Sequence, residues 1–273
     1  MQIARALGGM VFAARSAPGP CLALLVAALV LLAPPGALGE RSQKGNLLVS
    51  LQGGVSPLKL PRDHPAPVAL RIGGRIATTD GGPLPRLKQI RLTLGGRGRL
   101  TTTGLAVCPR SRIRNASNRQ ALRRCRPALV GRGALRARLF IPHQDPFPIG
   151  TGLLAFNGRT DAGRPAVWVH AYTGTPPVSI VLPFIIHRRA TTLRTSLTAI
   201  VPPALGDLPH LAAFHLTLSR RFYHHGHLRS YLSASCPVPK AFNAGFLTFA
   251  KASYDFADGR TLRIEASRSC RAR

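Results

Sequence analysis

Arginine is the residue through which this chain is best equipped to bind a partner. The sequence holds 38 lysine and arginine residues against nine acids, so its formal net charge is +29 at pH 7. Guanidinium groups bind phosphates and carboxylates through paired hydrogen bonds. The densest cluster predicts an anion-binding ridge, which comprises Arg112, Arg114, Arg119, Arg123, Arg124, Arg136 and Arg138. A solvated charged face is the plainer interpretation of the same residues.

Low aromatic content and the expected export of the chain limit the class of anionic partner that this ridge could bind. Aromatic residues form 6% of the chain and are not interleaved with the arginines, as stacking platforms for single-stranded nucleic acid would require. We therefore expect an anionic cell-wall polymer or a membrane surface rather than nucleic acid. No cofactor is indicated, and the oligomeric state is left open.

His224, His225 and His227 form the one histidine cluster of the sequence. Three imidazoles could bind a transition metal. They have no neighbouring acid or cysteine, so a hairpin turn at Gly226 is the favoured interpretation. The metal site is kept as the weaker alternative.

The sequence contains few candidate residues for a hydrolytic active site. The nine acids are scattered, and the chain contains no GxSxG or HExxH motif. General acid–base catalysis needs two titratable groups brought together with opposed pKa shifts. An enzyme is therefore the third hypothesis, and it would pair His143 or His170 with Asp145 or Asp161.

The first 39 residues predict export. Arg5 and Arg15 precede an uncharged apolar run, Cys21–Ala33. That run is shorter than the roughly twenty residues that span a bilayer, and small residues near Gly39 suit signal peptidase. A signal peptide over residues 1–39 is favoured over a retained anchor, and we expect a secreted or cell-envelope protein.

Four cysteines follow the predicted signal peptide: Cys108, Cys125, Cys236 and Cys270. An even number in an exported chain predicts two disulfides, with three possible pairings. We favour Cys108–Cys125 and Cys236–Cys270, because each pair brackets one local unit. A zinc site is the rival, but it favours CxxC-like spacings that this chain lacks.

Short β-type runs divided by glycine and proline fill the rest of the chain. Ile90, Leu92 and Leu94 alternate with Arg91 and Thr93. This period of two is typical of a half-buried strand in an antiparallel sheet. About a dozen such runs predict an all-β, antiparallel β-sandwich-like fold. The runs are Leu47–Gln52, Pro67–Thr78, Leu87–Leu94, Leu129–Ile141, Gly152–Asn157, Ala166–Thr173, Val178–Ile186, Arg194–Val201, Leu211–Arg221, Arg229–Ser235, Phe246–Phe256 and Arg260–Ser267.

One segment, Arg112–Arg124, lacks this alternation and contains helix formers. Cysteines flank it and prolines limit its length, so it predicts one short disulfide-tethered helix. The same segment is the expected seam between an N-terminal β region, 40–107, and a C-terminal β region, 108–273. One continuous domain over 40–273 is the alternative.

A β interior could also hold a small apolar ligand. This hypothesis predicts a cavity of roughly several hundred Å³, lined by residues such as Leu153, Phe156, Trp168, Phe184 and Phe214. Plain core packing is the simpler interpretation. The leading prediction is an exported, non-enzymatic protein that binds anionic polymers or a membrane surface, and a carrier or receptor for an apolar ligand is second.

Several segments also form a recognisable set: Ala121–Cys125, Ala128–Gly133, Ala155–Gly158, Ser230–Pro237 and a closing strand from Asp258 to Cys270. Together they resemble a group of exported bacterial proteins from GC-rich genomes that carry no assigned activity. The similarity extends from Val49 to Cys270. It implies secretion and a cysteine-stapled β fold, and it transfers no catalytic residue and no ligand.

Overall fold

The structure, a computed structural model, describes residues 40–95, 98–140, 143–189, 194–202 and 209–273. The predicted signal peptide lies outside these ranges. Within them, no helix combines the length and apolar character needed to cross a membrane.

Strands dominate the described residues, which confirms the all-β class. The eighteen strands of this part of the chain are β1 (Glu40–Lys44), β2 (Leu47–Ser56), β3 (Lys59–Leu60), β4 (Ala66–Pro67), β5 (Ala69–Thr78), β6 (Leu87–Leu94), β7 (Arg99–Leu100), β8 (Leu129–Leu139), β9 (Phe147–Arg159), β10 (Pro165–Gly174), β11 (Pro177–Arg189), β12 (Arg194–Ile200), β13 (Pro209–Leu218), β14 (Arg221–His224), β15 (His227–Ser230), β16 (Leu232–Ala234), β17 (Ala244–Phe256) and β18 (Thr261–Ala272).

Thirteen of these strands form one large sheet that curls on itself. Its order is β1-β2-β5-β13-β8-β9-β10-β11-β12-β6-β17-β18-β3, and its pairs are antiparallel except for β18 with β3. At the far end of this order, β18 contacts β1 and β2. The inner face of the sheet is therefore packed against itself, and strands from the two halves of the chain are interleaved within it.

Side chains join the two ends of the curled sheet. Glu40 on β1 accepts a hydrogen bond from the backbone N–H of Ser267 on β18 at 2.8 Å, and it lies 3.6 Å from the guanidinium of Arg268. Arg260 donates to the amide oxygen of Asn46 at 2.7 Å. These bonds hold β1, a polar strand without apolar alternation, in its place.

The predicted alternation is present on the strands where it is clearest. Ile90 on β6 is buried while Arg91 is exposed. On β13, Phe214 and Leu216 line the interior, and His215 between them is exposed. A strand turns successive side chains to opposite faces, so the sheet has an apolar inner face and a basic outer face.

The helix α1 spans Asn118–Cys125, which is only the second half of the predicted segment. The Ser117 side chain accepts from the Gln120 N–H, and the Gln120 side chain accepts from the Ser117 N–H. This capping box fixes the start of the helix. The residues before Ser117 form a short 3-10 turn and an irregular stretch instead.

Both favoured disulfides are present. Cys108–Cys125 joins the last residue of α1 to the loop after β7, with a Cα–Cα distance of 5.5 Å. Cys236–Cys270 ties the chain after β16 to β18, with a Cα–Cα distance of 5.9 Å. Such covalent bonds are compatible with an oxidising extracellular setting.

The segment around α1 covers the outer face of β9 and β10 and builds a second core there. This core contains Ile113 and Ala121 from the segment, with Phe156 and Trp168 from the sheet. The larger core fills the inside of the curl. Residues 153–158 of β9 and 166–171 of β10 are therefore covered on both faces.

Candidate functional site

The inner face of the curled sheet lines an apolar cavity of about 160 Å³. Nine strands contribute to its walls, from β5 through β13, β8, β9, β10, β11, β12 and β6 to β17. All the described side chains that line it are hydrocarbon except Tyr254. Typical members are Ile90, Leu135, Val169 and Leu182.

Three of the five residues predicted for an apolar site line the cavity: Leu153, Phe184 and Phe214. Each lies in the inward phase of its strand. The cavity is smaller than the predicted several hundred Å³, because large side chains from opposite sides of the curl fill part of the interior.

Phe156 and Trp168 do not line the cavity, so that part of the prediction is wrong. The two residues are directly opposite each other on β9 and β10. They belong to the outward phase, where the α1 segment buries them in the second core. There Trp168 donates a hydrogen bond to the Cys108 carbonyl at 2.9 Å.

Tyr254 is the one polar residue among the described lining residues, and it was not among those named from the sequence. Its side chain is 1% exposed, and its hydroxyl makes no hydrogen bond within the described residues. Burial alone raises the pKa of this hydroxyl, so the group stays protonated. The available signal was its position, because Tyr254 falls in the same inward phase of β17 as Ala252 and Phe256.

The volume and walls of the cavity decide what it can hold. Apolar cavities of about 150 Å³ in proteins exclude water and bind a molecule the size of benzene. The present cavity is of this size and has no charged lining residue among those described. It is therefore suited to an apolar molecule of about one ring.

The chain has no match among protein-family models, curated proteins or solved structures. Its function is therefore inferred from its own sites.

A second site lies on the outer face of β5, β13 and β8. In the strand register, Ala213 pairs with Arg75 on one side and with Arg136 on the other. The small alanine leaves a groove of about 400 Å³ between the two arginines, which Gln52 and His215 also line. An adjoining groove of about 290 Å³ adds Arg138.

These three arginines are exposed cations available to a ligand. Arg75, Arg136 and Arg138 form no ion pair or side-chain hydrogen bond with another residue in the described ranges. Arg136 and Arg138, which share one face of β8, were predicted from the sequence. Arg75 was not, because it comes from a distant strand and reaches the groove only through the β5–β13 register.

The other predicted arginines lie on and before α1. Arg112, Arg114, Arg119 and Arg123 are exposed. Arg124 is exposed as well, but its guanidinium donates to the Arg112 carbonyl at 3.1 Å. That bond gives Arg124 a structural contact with the preceding 3-10 turn.

The histidine cluster forms the predicted hairpin turn. His224, the last residue of β14, pairs with His227, the first residue of β15. Between them, His225 and Gly226 have positive φ angles of 49° and 74°. The described residues contain no grouping of three or more His, Cys, Asp or Glu side chains suited to a metal ion.

His170 has a different set of partners from the one that the enzyme hypothesis required. Its Nδ1 lies 3.0 Å from the Asn118 amide oxygen, and its Nε2 lies 3.0 Å from the Ala116 carbonyl. Asp145 and Asp161 are both exposed and make neither contact. The ring instead attaches the α1 segment to β10, and burial lowers its pKa more than the Ala116 and Ile113 carbonyls raise it.

Proposed function

We propose that the protein binds a small, uncharged, apolar molecule in the cavity inside its curled sheet. The observation that carries this proposal is the continuous hydrocarbon lining around about 160 Å³ of space. An unfilled void of this volume costs about 4 kcal/mol relative to a filled core. That cost is large beside the roughly 5–15 kcal/mol by which domains are stable, and a bound ligand offsets it.

Binding, rather than catalysis, is the activity that this site supports. Tyr254 is the one polar side chain among the described lining residues, and acid–base chemistry would need a second titratable group. The role proposed is therefore that of a carrier or receptor.

Calorimetric titration of the purified protein with α-methylstyrene tests the proposal. We expect saturable binding at one site per chain. Ala171 lines the cavity and is buried, so Ala171→Leu adds three carbon atoms to the void and should abolish binding. The control is Ala162→Leu, in an exposed turn, which should leave the affinity unchanged. Absence of saturable binding by the unaltered protein would contradict the proposal.

The arginine groove supports a second candidate function, the binding of an anionic polymer at the cell surface. Its support is the placement of Arg75 and Arg136 on either side of Ala213. Binding through several such contacts weakens steeply with salt, because surface charges are screened. Retention on isolated cell wall should therefore fall as ionic strength rises, and retention that is absent or insensitive to salt would reject this function.

We also infer that the protein acts outside the cytoplasm. The support is the apolar segment near the N-terminus together with two disulfides. Intact-mass measurement with and without reductant tests this inference. We expect a product that begins at Glu40 and gains mass on reduction, whereas a full-length product with free thiols would contradict export.

A further inference from the structure

We propose that the ligand of the cavity carries one uncharged oxygen atom, which accepts a hydrogen bond from the hydroxyl of Tyr254. This inference rests on the proposed function, because it specifies the chemistry of the molecule that the cavity binds.

The position of the Tyr254 hydroxyl is the first support. Tyr254 reaches from β17 across the interior to β5, where its oxygen lies 3.2 Å from the point that a Cβ on Gly74 would occupy. The ring of Phe214 lies beside the same point, and the hydroxyl forms no hydrogen bond with a described residue. Buried hydroxyl groups normally have a partner, so a ligand oxygen in the cavity would complete this site.

Tyr231 differs from Tyr254 in its position relative to the cavity. The Tyr231 hydroxyl is also buried without a hydrogen-bond partner in the described residues. Tyr231, however, does not line the cavity. Of these two tyrosines, only Tyr254 can therefore bind a molecule inside the curl.

Charge narrows the ligand class further. Burial raises the pKa of Tyr254, which leaves the hydroxyl as a neutral donor at physiological pH. No charged side chain lines the described walls, so an anion or cation would lose its hydration without compensation. The class that fits is a small ketone, aldehyde, ester or ether with an otherwise hydrocarbon body.

Two probes of nearly the same shape test this inference. Acetophenone carries a carbonyl oxygen where α-methylstyrene carries a methylene group. In Tyr254→Phe, the affinity for acetophenone should fall by about tenfold or more, because its carbonyl is left buried without a donor. The affinity for α-methylstyrene should change by less than about twofold. Tyr231→Phe is the matched control, and it should alter neither affinity.

If Tyr254→Phe does not fold, the hydrogen bond to the ligand can be tested on the unaltered protein. The carbonyl stretching frequency of bound, isotope-labelled acetophenone should lie below its value in an alkane, as hydrogen bonding requires. Equal changes for the two probes in Tyr254→Phe, or an unshifted carbonyl frequency, would overturn the inference while leaving α-methylstyrene binding intact. Failure of both probes to bind would overturn the proposed function, and this inference with it.

Discussion

The hydroxyl oxygen of Tyr254 lies 3.2 Å from the point where a Cβ on Gly74 would stand. The two residues belong to β17 and β5, which are not neighbours in the sheet. They meet across the interior of the curl, and the ring of Phe214 lies even closer to the same point, at 2.6 Å. The absence of a side chain at Gly74 therefore makes room for two of the aromatic walls of the cavity.

The substitution Gly74→Ala should destabilise the protein by about 1–3 kcal/mol, because the added methyl group forces the Phe214 ring to move. Denaturant unfolding measures this change. Gly150→Ala is the control, since a Cβ on that strand glycine would meet only the Leu135 carbonyl, at 3.9 Å. An equal effect of the two substitutions would show that the contact with Phe214 and Tyr254 is not the cause.

Loss of the Cys108–Cys125 disulfide should loosen the α1 segment over β9 and β10. The double substitution Cys108→Ala and Cys125→Ala should cost about 3 kcal/mol of stability. Trp168 is the only tryptophan of the chain and is 3% exposed beneath that segment, so its fluorescence should shift to longer wavelength in the folded variant. Replacing Cys236 and Cys270 instead should leave the emission wavelength unchanged. A shift in that second variant would contradict the assignment of the fluorescence change to the α1 segment.

His170 should make stability depend on pH. Burial lowers its pKa below the ordinary value of 6.5, so the unfolded chain binds more protons than the folded chain as the pH falls below 6.5. The free energy of unfolding should therefore decrease with falling pH in that range. The variant His170→Gln should show a weaker dependence, and His215→Gln, at an exposed histidine, should retain it. An unchanged profile in His170→Gln would assign the dependence to other groups.

The arginine groove should contribute more to anion binding than other arginines of equal charge. Arg75→Gln with Arg136→Gln should lower the salt concentration that elutes the protein from isolated cell wall. Arg91 on β6 and Arg263 on β18 flank Ser253 of β17 in the same manner, and these exposed arginines provide the matched control. Equal losses in the two double variants would show that net charge alone governs binding.

Local patterns in the sequence predicted much of the fold. Alternation around Arg91 located β6, and the two cysteine pairs bracketed local units that the structure also shows. Strand β1 was missed because its residues are polar and it is held by long-range bonds from Glu40.

The candidate sites were harder to predict, because they depend on which face of a strand is covered. Residues 153–158 of β9 and 166–171 of β10 are covered on both faces, so their apolar runs do not reveal that Leu153 faces the cavity while Trp168 faces α1. The pairing of Arg75 with Ala213 depends on the register of distant strands. The local sequence indicates neither the face on which these side chains lie nor the register that brings Arg75 beside Ala213.

The most direct test of the proposed function is the location of bound α-methylstyrene by nuclear Overhauser effects to labelled methyl groups. We predict contacts with Leu153, Leu182 and Leu216, which line the cavity. Contacts confined to exposed residues such as Leu58 and Leu228, or none at all, would contradict the binding of an apolar molecule inside the curled sheet.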